Sequence, residues 1–146
     1  MHENELMILL ADDDTDDCLL FKDALDQLPV SAQLTTVHNG EQLMLLLNKN
    51  ERPPDILFLD LNMPRKNGFD CLKEIRQNKN LDSLAVIPIS TSIEQDAVNM
   101  LYKNGAQHYI RKPNDFSQLK HLIQNGITQI AKAKSLKENL VLPGEA

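Results

Sequence analysis

The sequence has no tryptophan, two tyrosines and four phenylalanines among its 146 residues, and its formal net charge is −6. So acidic a chain, so poor in aromatics, lacks the basic footprint of a nucleic-acid-binding domain. There are two cysteines, Cys18 and Cys71, with no CxxC pair and no neighbouring histidines. Both read as small buried apolar residues in a reducing, cytoplasmic setting. No apolar run is long enough to span a bilayer. The start, Met1-His2-Glu3-Asn4-Glu5, is acidic and lacks the basic opening of a secretory signal. Internal repeats and low-complexity segments are also missing. What remains is an ordinary globular composition, and a chain of this length suits one domain that buries roughly 70% of its unfolded surface.

The most informative stretch runs from Asp55 to Pro64. Ile56, Leu57, Phe58 and Leu59 are apolar without alternation, as in a strand covered on both faces at the centre of a parallel sheet. Pro53 and Pro54 bar regular structure before it, and Pro64 and Gly68 mark a loop after it. Asp60 therefore stands at the carboxyl end of a central strand, where open α/β sheets bind ligands. Taken alone, Asp60 serves equally well as a turn cap.

The rest of the chain repeats this alternation. Leu6 to Ala11 is a second buried strand, ending in Asp12-Asp13-Asp14, and Cys18, Phe21, Leu25 and Leu28 follow at helical spacing until Pro29. Asp16 and Asp17 fall near that helix's N-terminus, where negative charge is favoured, and helix capping accounts for them. Gln33 to Val37 is a short strand, and Leu43, Leu46 and Leu47 mark a second helix. Phe69, Leu72 and Ile75 carry a third helix. Leu84 to Ser90 is a fourth strand, although Pro88 removes a ladder donor from its interior. Ala97, Val98 and Leu101 mark a fourth helix that stops at Asn104-Gly105. Gln107 to Ile110 is a fifth strand, with Lys112-Pro113 at its end, and Phe116 to Ile130 carries a fifth helix. Residues 132–146 read as a short polar C-terminal tail, so the domain spans residues 5–131. The expected fold is a flavodoxin-like, doubly wound (βα)5 unit with a five-stranded parallel sheet in the order 2-1-3-4-5.

That order sets the first and third strands side by side, and with them Asp12 to Asp14 and Asp60. Two unit charges 4 Å apart repel by about 4 kcal/mol at a protein-surface dielectric, so clustered carboxylates call for a cation. Oxygen ligands without His or Cys favour Mg²⁺, Mn²⁺ or Ca²⁺. Mg²⁺ takes one or two carboxylates and leaves positions open for phosphate oxygens, and a carboxylate beside it can act as a phosphoryl nucleophile. Lys112 adds a positive charge and Ser90 a hydroxyl donor. A calcium loop of the EF-hand type fails, because Asp17 stands where glycine is required and Asp23 where a bidentate glutamate is required.

Taken in order, these motifs resemble the response-regulator receiver family of two-component signalling. They are Leu9-Leu10-Ala11-Asp12-Asp13; Phe58 to Pro64 followed by Gly68; Ile89-Ser90-Thr91-Ser92; Gly105-Ala106; and Tyr109-Ile110-Arg111-Lys112-Pro113. The Ser-Thr-Ser run and the Arg-Pro-Pro-Asp lead-in are most similar to stand-alone, phytochrome-associated regulators. The resemblance implies Asp60 as phosphoacceptor. It implies Mg²⁺ held by Asp13, Asp60 and the backbone carbonyl of Asn62, with Asp12 acting mostly through water. It makes Lys112 the partner of Asp60 and then of the phosphoryl oxygens, Ser90 the switch hydroxyl with Thr91 adjacent, and Tyr109 the switch aromatic. It also implies a cis peptide at Lys112-Pro113. Asn62 and Ser92 hold positions that tune phosphoryl lifetime.

The expectation is therefore a cytoplasmic single-domain response regulator, a phosphoacceptor protein rather than an enzyme, without a DNA-binding or enzymatic output domain. It takes a phosphoryl group from a histidine kinase or phosphotransfer protein and signals by contacting a downstream protein or passing the group on. Two states are open for its assembly: a homodimer through the fourth helix, fifth strand and fifth helix, with Tyr102, His108 and Arg111 contributing, or a solvated monomer. An aspartyl-nucleophile phosphatase is the enzyme alternative. It commonly needs a carboxylate two residues after the nucleophile, and Asn62 there is no proton donor. A receiver that is never phosphorylated is the binding-module alternative, and the intact Asp12, Asp13, Asp60 and Lys112 argue against it.

Overall fold

Unbroken apolar runs become strands and the 3.6-residue repeats become helices in a computed structural model that describes residues 5–49, 52–91 and 94–141, with side chains through Lys134. The elements are β1 (Leu6–Ala11), α1 (Thr15–Asp26), β2 (Ala32–Val37), α2 (Gly40–Leu47), β3 (Ile56–Asp60), α3 (Gly68–Gln77), a 3-10 turn (Lys79–Leu81), β4 (Ala85–Ser90), α4 (Gln95–Lys103), β5 (Ile110–Arg111) and α5 (Phe116–Val141). All strand pairs are parallel, in the order β2-β1-β3-β4-β5, as the sequence predicts.

Side chains alternate across the sheet and build two cores. Leu9, Ala11, Leu57, Leu59 and Val86 pack with α2 and α3, and with Leu101 of α4. Ile8, Leu10, Ile56, Phe58, Ile87 and Ile89 pack with α1 and α5. Phe58 meets Phe21 edge-on, with ring centroids 4.9 Å apart. Every residue of β3 is buried, so its terminal Asp60 is held by a strand packed on both faces. Both cysteines are free and buried. Among the described residues no helix is long and apolar enough to cross a membrane.

Two glycines set close approaches. A Cβ on Gly68 would fall 2.6 Å from the Asp60 carbonyl oxygen, so glycine lets the start of α3 sit against the end of β3. Gly105, at φ +92°, closes α4 and would drive a Cβ into Arg76. The Arg76 guanidinium donates to the carbonyls of Leu81, Leu84 and Gly105 and to Gln107 Oε1, tying α3 to the end of α4.

Three expectations are corrected. The fifth strand is shorter and later than Gln107–Ile110. Gln107 pairs with Val86 through its backbone N–H and its own Oε1, and the β4–β5 ladder begins only at Ile89 opposite Ile110. Val86 and Ser90 both bond toward β5, so by alternation the missing donor of Pro88 falls on this side, before the ladder starts. The polar tail is helical from Lys132 to Val141, since no glycine or proline interrupts the run before Pro143. The Lys112–Pro113 peptide is trans, the commoner form for an X–Pro bond.

Candidate phosphoryl and metal site

The carboxyl ends of β1, β3, β4 and β5 converge. β1 delivers Asp12, 3% exposed, and the exposed Asp13; β3 delivers Asp60, 4% exposed; β4 delivers the fully buried Ser90. Lys112 follows β5, its backbone N–H donating to the Ser90 carbonyl. Asp12, Asp13 and Asp60 each offer a carboxylate oxygen, all within 4.8 Å of one another. Backbone amides fix two of these groups: Asp14 N–H donates to Asp12 Oδ1 at 3.0 Å, and Asn62 N–H to Asp60 Oδ1 at 3.1 Å. The Asp12 carbonyl accepts from Cys18 Sγ and lies 3.1 Å from His38 Nδ1.

Burial, aided by the neighbouring Asp12 charge, outweighs the Asn62 hydrogen bond and the Lys112 charge and raises the Asp60 carboxyl to about 7. A cluster of hard oxygen donors whose central member is costly to ionise fits a divalent cation, and no soft donor side chain stands among its members.

Lys112 keeps an ion pair with Asp60, but Asp60 is not its nearest partner. Its Nζ lies 2.9 Å from Asp17 Oδ2, 3.2 Å from Asp12 Oδ2 and 3.9 Å from Asp60 Oδ2. Burial alone would push the ammonium pKa down, but the Asp17 hydrogen bond and then the Asp12 and Asp60 charges carry it above the usual lysine range. Asp17 is thus a site residue that sequence reasoning assigned to capping. The cap is Asp14, whose Oδ1 accepts from Asp17 N–H. A readable signal existed: Asp17 stands four residues before Phe21, on the stripe that faces the sheet.

Ser90 rather than Thr91 faces the interior. Thr91 is exposed, and its carbonyl accepts from Arg111 Nε. Tyr109 immediately precedes β5, half-buried, with a side-chain hydrogen bond to Ser90; its hydroxyl pKa is raised by burial, against the Arg111 charge and that hydrogen bond. Ser92 lies outside the described residues.

The sequence matches the response regulator receiver domain over residues 8–124. It is 31% identical over 124 residues to the probable C4-dicarboxylate response regulator DctR of Bacillus subtilis, covering 85% of this chain but only 53% of that protein. It is 29% identical over 123 residues to the response regulator Rcp1 of Synechocystis sp., covering 81% of this chain and 84% of that one. The Mn²⁺-bound form of Rcp1 superposes with a TM-score of 0.75 over 82% of this chain and 90% of that one. The phosphorylated cyanobacterial phytochrome response regulator RcpA superposes with a TM-score of 0.76 at 32% identity, covering 83% and 90% of the two chains. The chain belongs to the response regulator receiver domain family, in which uptake of a phosphoryl group on an aspartate beside a bound divalent metal is general.

Proposed function

We propose that Asp60 takes the phosphoryl group, from a histidine kinase or phosphotransfer protein, with Mg²⁺ as the metal. The observation that carries this reading is the placement of Asp60 at the end of the fully buried β3, flanked by Asp12 and Asp13 and within 3.9 Å of the Lys112 ammonium. Asp12, Asp13, Asp60 and the Asn62 backbone carbonyl would hold Mg²⁺, which when bound supplies positive charge to carboxylate and phosphoryl oxygens. In the transfer a carboxylate oxygen of Asp60 bonds to phosphorus. The P–N bond of the phosphohistidine breaks, and the imidazole nitrogen leaves with the electron pair and takes a proton. Lys112 offsets the charge gathering on the transferring group. The chain acts as a phosphoacceptor and not as an enzyme on other substrates, and the likeness to the phytochrome response regulator RcpA supports a phytochrome-type sensor kinase in the cytoplasm as donor. With acetyl phosphate and Mg²⁺ the protein should gain one phosphoryl mass. No gain, or an equal gain in EDTA, contradicts the reading.

The signal is carried by Ser90 and Tyr109. The phosphoryl oxygens are strong acceptors and draw the Ser90 hydroxyl away from Tyr109, whose ring then repacks beside β4. Ser90→Ala should keep phosphorylation but lose the shift of Tyr109 NMR resonances on adding beryllofluoride. A wild-type shift pattern in Ser90→Ala would transfer the role to Thr91.

The readout is the α4–β5–α5 face, where Tyr102 is 47% exposed and His108 and Arg111 lie alongside. A second copy or a downstream protein binds there. Sedimentation with and without beryllofluoride should show a phosphoryl-dependent dimer, and a monomer in both states rejects self-pairing.

A further inference from the structure

The ammonium of Lys112 has three protons, and among the described residues its hydrogen-bond partners are Asp17 and Asp12. At 3.9 Å, Asp60 is outside hydrogen-bond range and receives only the longer-range charge. The shortest of the three contacts therefore goes to a residue outside the Asp12, Asp13 and Asp60 cluster. We propose that Asp17 is a positioning residue that holds Lys112 in the unphosphorylated protein and competes with the phosphoryl group for it.

Three observations carry this inference, which rests on the reading that Asp60 takes the phosphoryl group. First, Asp17 is fixed where it must be. It sits in the first turn of α1, and its own N–H is held by the cap residue Asp14 at 3.1 Å. Second, the competition is feasible in both directions. The Asp17 side chain is 39% exposed, so water can solvate its carboxylate once the lysine has gone, whereas Lys112 is 18% exposed and needs a nearby anion. Third, the competitor is the stronger anion. A phosphoryl group brings roughly −1.5 to −2 charges and three acceptor oxygens, against one charge on Asp17. Transfer of Lys112 from Asp17 to the phosphoryl oxygens then has two results. The affinity of the site for a phosphoryl group is lower than it would be with Lys112 free, and the first turn of α1 loses its tie to β5 when phosphorylation occurs. Residues such as Leu20 and Phe21 of α1, and Arg111 and Asn114 beside Lys112, line a cleft of about 570 Å³ at this junction, so the change is presented at an accessible surface.

The test uses beryllofluoride with Mg²⁺ as the phosphoryl mimic. Asp17→Asn keeps the shape of the side chain and removes its charge, and should tighten beryllofluoride binding by about 3- to 10-fold. Affinity for Mg²⁺ alone should stay within twofold of wild type. Asp16→Asn is the control, since Asp16 is an exposed acid in the same turn that does not bond to Lys112; it should leave beryllofluoride affinity unchanged. In the wild-type protein, the side-chain carboxyl carbon of Asp17 should shift in NMR spectra on saturation with beryllofluoride, while that of Asp16 does not. Unchanged or weaker binding by Asp17→Asn, equal tightening by Asp16→Asn, or an unmoved Asp17 carboxyl signal overturns the inference while leaving Asp60 as acceptor. Failure of the wild-type protein to bind beryllofluoride in a way that needs Asp60 and Mg²⁺ overturns both.

Discussion

Asp60→Asn is expected to reduce Mg²⁺-dependent phosphorylation to background while the fold persists. Asparagine is close to aspartate in shape, so the packing around β3 and the Asn62 N–H contact to the retained oxygen survive. What is lost is the carboxylate oxygen that must bond to phosphorus, and the amide is no substitute as a nucleophile. Removing the neighbouring cation has a smaller, graded effect. Lys112→Ala deletes one preorganised positive charge from the transferring group and is expected to slow phosphorylation by about 10²-fold. Rates with acetyl phosphate, read by intact mass over time, separate these outcomes. A labelled Asp60→Asn protein would mean that Asp12, Asp13 or Asp17 is the acceptor.

The stability of the metal-free protein should fall as pH rises from about 4 to about 7, and Mg²⁺ should remove that slope. Burial and the Asp12 charge raise the folded-state pKa of Asp60 above its unfolded value. A group of this kind contributes stability fully present below its unfolded pKa and lost as pH rises through its folded pKa, because between the two values the folded state binds more protons. The loss at neutral pH is of order 1–4 kcal/mol, since each pKa unit corresponds to about 1.4 kcal/mol. Mg²⁺ binds the ionised cluster and stabilises the folded state by about 2.7 kcal/mol in all when present at a hundred times its dissociation constant, which offsets the penalty. Denaturant unfolding from pH 4.5 to 8, with EDTA and with Mg²⁺, measures both effects. In Asp60→Asn the metal-free slope should largely vanish. A metal-free wild-type protein that gains stability over this range would contradict the electrostatic account of the cluster.

The parts of this molecule that were legible in the sequence are those set by short-range patterns. Ile56 to Leu59 is apolar at every position because β3 is covered on both faces, so the central strand and its terminal Asp60 could be placed directly. The acidic run after β1 became a site once strand order set β1 beside β3. Less legible were features decided by single side chains acting across elements. Gln107 reads as a strand residue, yet its side chain replaces a strand partner for Val86. Pro88 signals a missing donor but not which neighbour loses it. The α5 extension was obscured by its polarity, although polar residues such as lysine and glutamate are good helix formers. Asp17 was hidden by a sufficient local explanation: an acid in a first turn needs no other reason to be there. Only the long-range contact between α1 and the residue after β5, 95 positions later in the chain, gives it a second role.

The claim on which the others depend is that the phosphoryl group resides on Asp60. Borohydride reduces an acyl phosphate to an alcohol, so the phosphorylated wild-type protein can be reduced, digested and mapped by mass. The expected result is homoserine in place of aspartate at position 60, within the peptide that contains Ile56 to Pro64, with Asp12, Asp13 and Asp17 recovered unchanged. Homoserine at position 12, 13 or 17 with Asp60 intact would contradict the account.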